Sequence, residues 1–406
     1  MHKAVKGWTG AGLVVAAAMT AGNALAQVSD DAIRIGFLTD FSSVYADSAG
    51  QGSLIAAQLA VEDMGGEILG HPVEIIAVDH QLDKDVALEE AERLRTEHNV
   101  DAFAEMVGTQ VAVPLQKYAE EHEIVALHTG TASSSLTNEH CSPYGVHWAY
   151  DTHALSAGTA AGMLQRGAES FYFVTVDYSF GHTLEADARA IIEEGGGEVL
   201  GRSLTEFRTD DMSPALLDAQ ASGADVIALA NAGGDHRTSV RQAYEYEILQ
   251  GDQDVVALLT AINNVQSLGL YAAEGLIFTT AFYWDQNEAT RAWSERFRRR
   301  HGRIPNMLQA GTYSAVLHYL KAIEEAGTDE SDAVMEAMRS VPIDDFFAQN
   351  GTLREDGRMV HDMLLVEVKG PGESAYRSDY LRVLETIPGE RAYRPLDQSE
   401  CDLVNN

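Results

Sequence analysis

The chain has 406 residues, with 28 Lys and Arg against 62 Asp and Glu and a net charge of −34. An acidic surplus of this size, spread along the chain rather than gathered in a tail, argues against nucleic acid and anionic lipid as partners and reads as a solvated surface suited to salt. The length exceeds what one hydrophobic core serves, so two domains are expected.

The first 26 residues read as a secretory signal peptide. Lys3 and Lys6 give a positive start, residues 11–21 a short apolar stretch, and Ala24-Leu25-Ala26 a small-x-small cleavage signal. The apolar stretch is too short to be a membrane span. No cysteine follows it to carry a lipid, and no later stretch is long and apolar enough to cross a bilayer. Cleavage after Ala26 is expected, with export to the periplasm in a Gram-negative cell. It leaves 26 basic against 62 acidic residues, a net charge of −36. Both cysteines, Cys141 and Cys401, lie in the exported part. An even count in an oxidising compartment favours one disulfide, with two buried thiols as the other reading.

Beyond residue 27 the chain alternates. "IRIGFL" (33–38), "VEIIAV" (73–78), "DAFAEMV" (101–107) and "IVALH" (124–128) read as strands. The stretches between them, "SLIAAQLAVEDMGG", "DKDVALEEAERLRTEH" and "QVAVPLQKYAEEH", have helical spacing of apolar residues. This βαβα order predicts a parallel sheet with helices on both faces. The order then restarts with strands "SFYFVTV" (170–176), "EVLGRSL" (198–204), "DVIALA" (225–230) and "DVVALLT" (254–260), and helices beginning near Gly181, Ser213 and Asp235. "EGLIFTTAFYW" (274–284) reads as a last long extended run. Residues 287–300, 311–326 and 332–339 look like three successive helices. "NGTLREDGRMVHDMLLVEV" (350–368) reads as a hairpin turning at Glu355-Asp356-Gly357, and the segment after Pro371 as irregular.

Motifs for catalysis are missing. There is no GxxxxGK[ST], no GxGxxG after a strand, no GxSxG around the serines at 133–135, and no HExxH-like histidine spacing. The cysteines are too far apart for a zinc knuckle. Asn350-Gly351-Thr352 matches a glycosylation sequon in a turn-like context. Instead, hydroxyl residues stand where strands end. "VGTQ" (107–110) follows the third strand and "HTGTASSSL" (128–136) the fourth, and each opens a helix. Ligands of open α/β sheets bind beyond the carboxyl ends of strands. A helix start there offers free N–H groups and a positive dipole end, which suit a carboxylate. Thr109 and Thr131 are therefore read as ligand contacts, and residues 133–135 as capping and turn residues.

At these residues the chain resembles a known family. "IRIGFLTDFSSVYAD" (33–47), the run from 56 to 94, "TVDYSFGHTLEADA" (175–188), "FRTDDMSPALLDAQASGADVIALANAGGD" (207–235) and "QAGTYSAVLHYLKAIEEAG" (309–327) look like type I periplasmic substrate-binding proteins of ABC transporters, in the leucine and branched-chain amino acid group. The resemblance covers nearly the whole exported chain. It implies two Rossmann-like α/β lobes joined by three crossing strands near 148–152, 280–285 and 341–347, with the ligand between them. One lobe would comprise 27–150 with 285–342, the other 151–284 with 343–406. It also implies a site: Tyr45 in the first loop, Thr109 with Gln110 beside it, Thr129 and Thr131 at the fourth-strand turn, Phe180 and Asn231 in the second lobe, with Tyr150 as a further flat wall. In leucine-binding members an acidic residue pairs with the ligand ammonium; the matching position here is Ala261, with Asp151 or Asp177 as substitutes. A carboxylate ligand without an amine is the alternative to a branched-chain amino acid. The implied role is a monomeric receptor handing a small solute to an ABC permease, with no cofactor. An exported α/β hydrolase and a sensor subunit of a signalling system are the rival readings.

Overall fold

The computed structural model describes residues 1–4, 7 and 28–405, so most of the signal-peptide stretch and its cleavage site lie outside the described residues. A first body forms from β1 (Ile33–Thr39), α1 (Gly50–Asp63), β2 (Glu67–Ile68), β3 (His71–Asp79), α2 (Lys84–His98), β4 (Ala102–Glu105), α3 (Thr109–Glu121), β5 (Val125–His128) and β6 (Gly145–His147). Its sheet has the order β2-β3-β1-β4-β5-β6, parallel except for the small β2–β3 hairpin. The central strands β4 and β5 are buried at every position, as a parallel sheet covered on both faces requires.

The second body follows with α4 (Thr152–Gln165), β7 (Ser170–Val176), α5 (Ser179–Glu194), β8 (Glu198–Thr205), α6 (Ser213–Ser222), β9 (Val226–Ala230), α7 (Gly233–Glu245), β10 (Asp254–Ala257), α8 (Ile262–Leu268), α9 (Leu270–Ala273) and β11 (Ile277–Thr280). After them come α10 (Glu288–His301), α11 (Met307–Ala326) and α12 (Ser331–Ser340), then β12 (Thr352–Leu353), β13 (Met359–Val360), β14 (Met363–Val368), β15 (Leu381–Ile387) and α13 (Gly389–Ala392). The second sheet has the order β15-β14-β11-β10-β9-β7-β8. Helices α10 and α11 pack back on α1 of the first body. Each has a sharp start and stop. Asn287 with Thr290, and Asn306 with Gln309, form reciprocal capping boxes, and Gly302 and Gly327 close the helices in the left-handed conformation.

Three sequence expectations change here. The run 274–284 is a strand only over β11, because from residue 281 the chain leaves the sheet to cross back toward α10. The segment after Pro371 is not irregular: β15 pairs antiparallel with β14 and forms the sheet edge. Its burial pattern is mixed, with no clean alternation to read in the sequence. The 350–368 stretch also divides. β12 and β13 form their own two-stranded sheet, which touches β6 through the His147–Arg358 bridge, and only β14 joins the second sheet.

That hairpin grips the chain where it passes between the bodies. Arg358 is fully buried and donates from its guanidinium to the carbonyls of Trp148 and Tyr150, while pairing with Asp151 at 3.4 Å. His361 bonds the Ala149 carbonyl at 2.9 Å. Cys141 and Cys401 form a disulfide that fastens the C-terminal tail beside β6. The tail's Arg394 reaches Asp187 on α5 of the second body at 2.9 Å.

Candidate functional site

A cavity lies between the carboxyl ends of the two sheets. The space between atoms there, counting the part open to solvent, is about 480 Å³. From the first body it takes Tyr45 and Ser48, residues 107–109 and residues 130–132. From the second it takes Tyr178, Phe180, Ala232, Gly233, residues 259–261 and Asn264. Tyr150 of the crossing and Leu308 of α11 complete it.

The turns that build it follow from local geometry. β4 ends at Glu105, which with the next residue Met106 has positive φ, and Gly108 follows at φ 96, so the chain doubles back and α3 starts at Thr109 facing the cavity. Non-glycine residues at positive φ are costly and cluster at functional sites. Beside this turn, Gly130 lies so close to Glu105 that a Cβ there would stand 2.1 Å from Oε1. Tyr150 donates its hydroxyl to the Gly130 carbonyl at 3.0 Å, and His147 Nε2 bonds the Thr131 carbonyl at 3.0 Å. The backbone under Thr131 is thus fixed from two sides. Tyr45 is positioned by Asp40, whose carboxylate accepts from the N–H groups of Ser42, Ser43 and Tyr45.

Three contacts join the bodies around the cavity. The Tyr45 and Tyr178 hydroxyls meet in a short hydrogen bond. Gly233, at φ +58, opens α7 with its Cα against the Tyr45 ring, where a Cβ would stand 3.1 Å from ring atoms. Asn263 Nδ2 donates to Asp47 and Ser48, each at 3.0 Å. Burial pushes the phenols of Tyr45, Tyr150 and Tyr178 up from their ordinary range, so all three are neutral donors at physiological pH.

The polar inventory is the most informative feature. No Asp, Glu, Lys, Arg or His is among the lining residues. Thr109 and Thr131 are 8% and 1% exposed, and neither Oγ1 has a hydrogen-bond partner. A buried hydroxyl without a partner is costly, so two converging in one cavity mark a place for an acceptor. The start of α3 adds backbone N–H groups and the positive end of a 13-residue helix. Tyr45, Tyr150, Tyr178 and Phe180 give the cavity its flat apolar walls. Among the described residues no cluster of three or more His, Cys, Asp and Glu suits a metal ion, and no helix is long and apolar enough to cross a membrane.

Of the residues expected from the sequence, Tyr45, Thr109, Thr131, Tyr150 and Phe180 line the cavity. Three do not. Thr129 is turned into the first body, where its hydroxyl bonds Thr312 at 2.8 Å. Gln110 lies one helix position beyond Thr109, beside Gly108 and outside the lining. Asn231 is fully buried behind Ala232 and donates to Ser239 at 2.8 Å. Ala261 does line the cavity, as the N-cap of α8. Neither proposed substitute reaches it: Asp151 caps α4 and pairs with Arg358, and Asp177 bonds His182. In the serine row, Ser133 and Ser135 bond each other, while Ser134 crosses to Asp187 of α5 at 2.8 Å. The sequence reading missed Tyr178, the N-cap of α5 and two residues before Phe180 in that helix's first turn, for which the aromatic spacing was a usable signal. It also missed Leu308, whose place depends on the return of α11 to the first body and leaves no mark in the local sequence.

Two α/β bodies enclosing a small cavity at their strand ends, joined by three crossings, define a two-lobed binding protein. A sequence profile of the periplasmic binding protein family matches residues 32–374, and the chain belongs to that family. It is similar to a periplasmic binding protein from Burkholderia mallei, at 40% identity and TM-score 0.89 over 92% of this chain and 99% of that one. It is also similar to a branched chain amino acid ABC transporter periplasmic ligand-binding protein from Burkholderia xenovorans LB400, at 35% identity and TM-score 0.85 over 92% and 100%. Among curated proteins, the Leu/Ile/Val-binding protein homolog 7 of Brucella abortus is 23% identical over 81% of this chain and 85% of its own length. The match to homolog 6 of Brucella melitensis spans about half of each protein, 53% of this chain and 54% of that one, at 23% identity. The fold is also that of a Rhodopseudomonas palustris solute binding protein in complex with benzoate, at 19% identity and TM-score 0.78 over 88% and 97%.

Proposed function

We propose that this protein is the periplasmic receptor of an ABC importer and that it captures a small carboxylate with a planar or apolar body and no obligatory α-amine, such as a benzoate-like acid. The observation that carries this reading is the cavity's one-sided polarity. Thr109, Thr131 and the start of α3 supply donors, and no lining side chain carries a negative charge to meet an ammonium. An α-amino acid would leave its ammonium facing Ala261, at a cost of several kcal/mol for a desolvated, unpaired charge. The walls from Tyr45, Tyr150, Tyr178 and Phe180 suit a flat body. The relatives support the class of protein. The names of some point to branched-chain amino acids, and the absence of an acidic partner speaks against that ligand here.

The lobes move about the three crossings as hinges and close on the ligand, and the closed form is presented to the membrane permease. The protein acts as a monomer after export and cleavage behind Ala26. No step requires catalysis. Mass spectrometry of small molecules released from freshly purified, denatured protein tests the reading. An aromatic or other amine-free carboxylate supports it, and leucine, isoleucine or valine as the sole released compound refutes it.

A further inference from the structure

A second cleft opens on the outer seam between the two bodies, away from the ligand cavity. The space between atoms there, counting the part open to solvent, is about 800 Å³. Arg291 and Arg298 reach it from α10, Arg303 from the turn after that helix, and Arg377 from the loop leading into β15. Trp284, in the crossing segment, forms a wall and is held by a bond from its Nε1 to the Ser378 carbonyl at 3.1 Å. Four guanidiniums around one cleft run against the composition of a chain with 62 acidic residues and only 28 basic ones.

Three of the four are shared with carboxylates. Arg291 pairs with Asp285 at 3.1 Å, Arg298 with Glu295 at 2.8 Å, and Arg303 with Asp47. Glu295 is the one carboxylate among the lining residues. Arg377 is exposed and makes no ion pair among the described residues. Each guanidinium has five N–H donors, so a single carboxylate partner leaves part of the fork free. A second observation is independent of the charges. Ser294 lines the cleft and is 2% exposed, and its hydroxyl has no hydrogen-bond partner. Arginine forks, an unsatisfied buried hydroxyl and an indole wall together fit a compact oxyanion.

We propose that this cleft is a binding site for a small multivalent oxyanion, of the phosphate or tricarboxylate kind, separate from the ligand cavity. Arg298 rides on a helix packed against the first body, and Arg377 belongs to the loop that enters the second sheet. An oxyanion held between them ties the two bodies together on the seam.

The test is calorimetric titration of the full-length mature protein with inorganic phosphate and with citrate, in a buffer free of both, at ionic strength held constant with chloride. The expected result is saturable binding of one of them, weakened at least fivefold by Arg377→Ala and by Ser294→Ala. Arg377 is exposed, so its variant keeps the fold whatever Ser294→Ala does. A response no different from that of chloride, or one unchanged in Arg377→Ala, overturns the proposal. Binding of a hexaglutamate peptide without binding of either free anion also overturns it, since it assigns the cleft to an acidic protein partner.

Discussion

Replacing Thr131 by Val removes one hydroxyl and keeps the shape of the side chain. Thr131 is 1% exposed, its carbonyl is fixed by His147, and its hydroxyl points to no partner within the chain. Two consequences follow, and they differ in sign. The folded protein loses a buried donor that it never satisfies, so Thr131→Val does not lower the unfolding temperature of the ligand-free protein and raises it slightly. Binding loses a hydrogen bond to a charged group, about 1.5–3 kcal/mol, or roughly 10- to 150-fold in Kd. Thr131→Ser keeps the hydroxyl and deletes only a methyl, so its Kd stays much closer to that of the wild type. Differential scanning calorimetry gives the first quantity and titration calorimetry the second, with whichever acid the protein retains. If Val and Ser variants lose affinity equally, the hydroxyl is not the donor and Thr131 acts through packing. If the Val variant binds normally, the hydroxyl row is only a helix start.

Further outcomes follow from other residues. Glu105 is fully buried, and burial pushes its carboxyl up to about 8 from an ordinary value of 4.5. The unfolded chain ionises first, so this group removes stability progressively as pH rises from about 4.5 to 8, and no more above that. Glu105→Gln should therefore gain on the wild type by a few kcal/mol across that window in denaturant melts, and a pH-independent difference would refute the assignment. Thiol titration of denatured, unreduced protein should find no free cysteine. The Cys141→Ser, Cys401→Ser double variant, which opens a loop of 260 residues, should lose up to about 5 kcal/mol in the chain-entropy treatment, and equal stability of the two forms would show that the bridge constrains nothing. Ala261→Asp places a carboxylate in the cavity lining. It should weaken binding of an acid at least tenfold by like-charge repulsion and make room for an ammonium, and unchanged affinity in titration would show that the ligand does not approach α8.

The α/β alternation and the two bodies were legible in the sequence because parallel strands buried on both faces leave short apolar runs such as β5 and β9. The edge strand β15 was not, because its mixed exposure gives no period. The site was legible in proportion to how local its construction is. Thr109 stands at the turn from β4 into α3 and Thr131 in the turn after β5, which leads only into a single tight turn at 134–137 rather than the expected helix, and at both places position along the chain gives position in the fold. Thr129, two residues before Thr131, faces the other way toward Thr312, a partner that α11 supplies from far along the chain. Asn231 failed for a different reason: its amide is taken up locally, by Ser239 eight residues later on α7, and turned away from the cavity. The hinge clamp of Arg358 and the cleft beside Trp284 depend on segments that meet only after the chain has crossed between the bodies three times. No window of sequence shows either of them.

The cavity has hydroxyl and backbone donors for a carboxylate and no acidic side chain to meet an ammonium. Titration calorimetry of ligand-free protein, refolded after denaturation to remove any carried ligand, tests this most directly. The panel is benzoate, 4-hydroxybenzoate, benzamide, leucine, isoleucine and valine. At least one of the two aromatic acids is expected to bind stoichiometrically, benzamide far more weakly, and the three amino acids to give no comparable heat. Tight binding of leucine, isoleucine or valine with no response to either aromatic acid would contradict it.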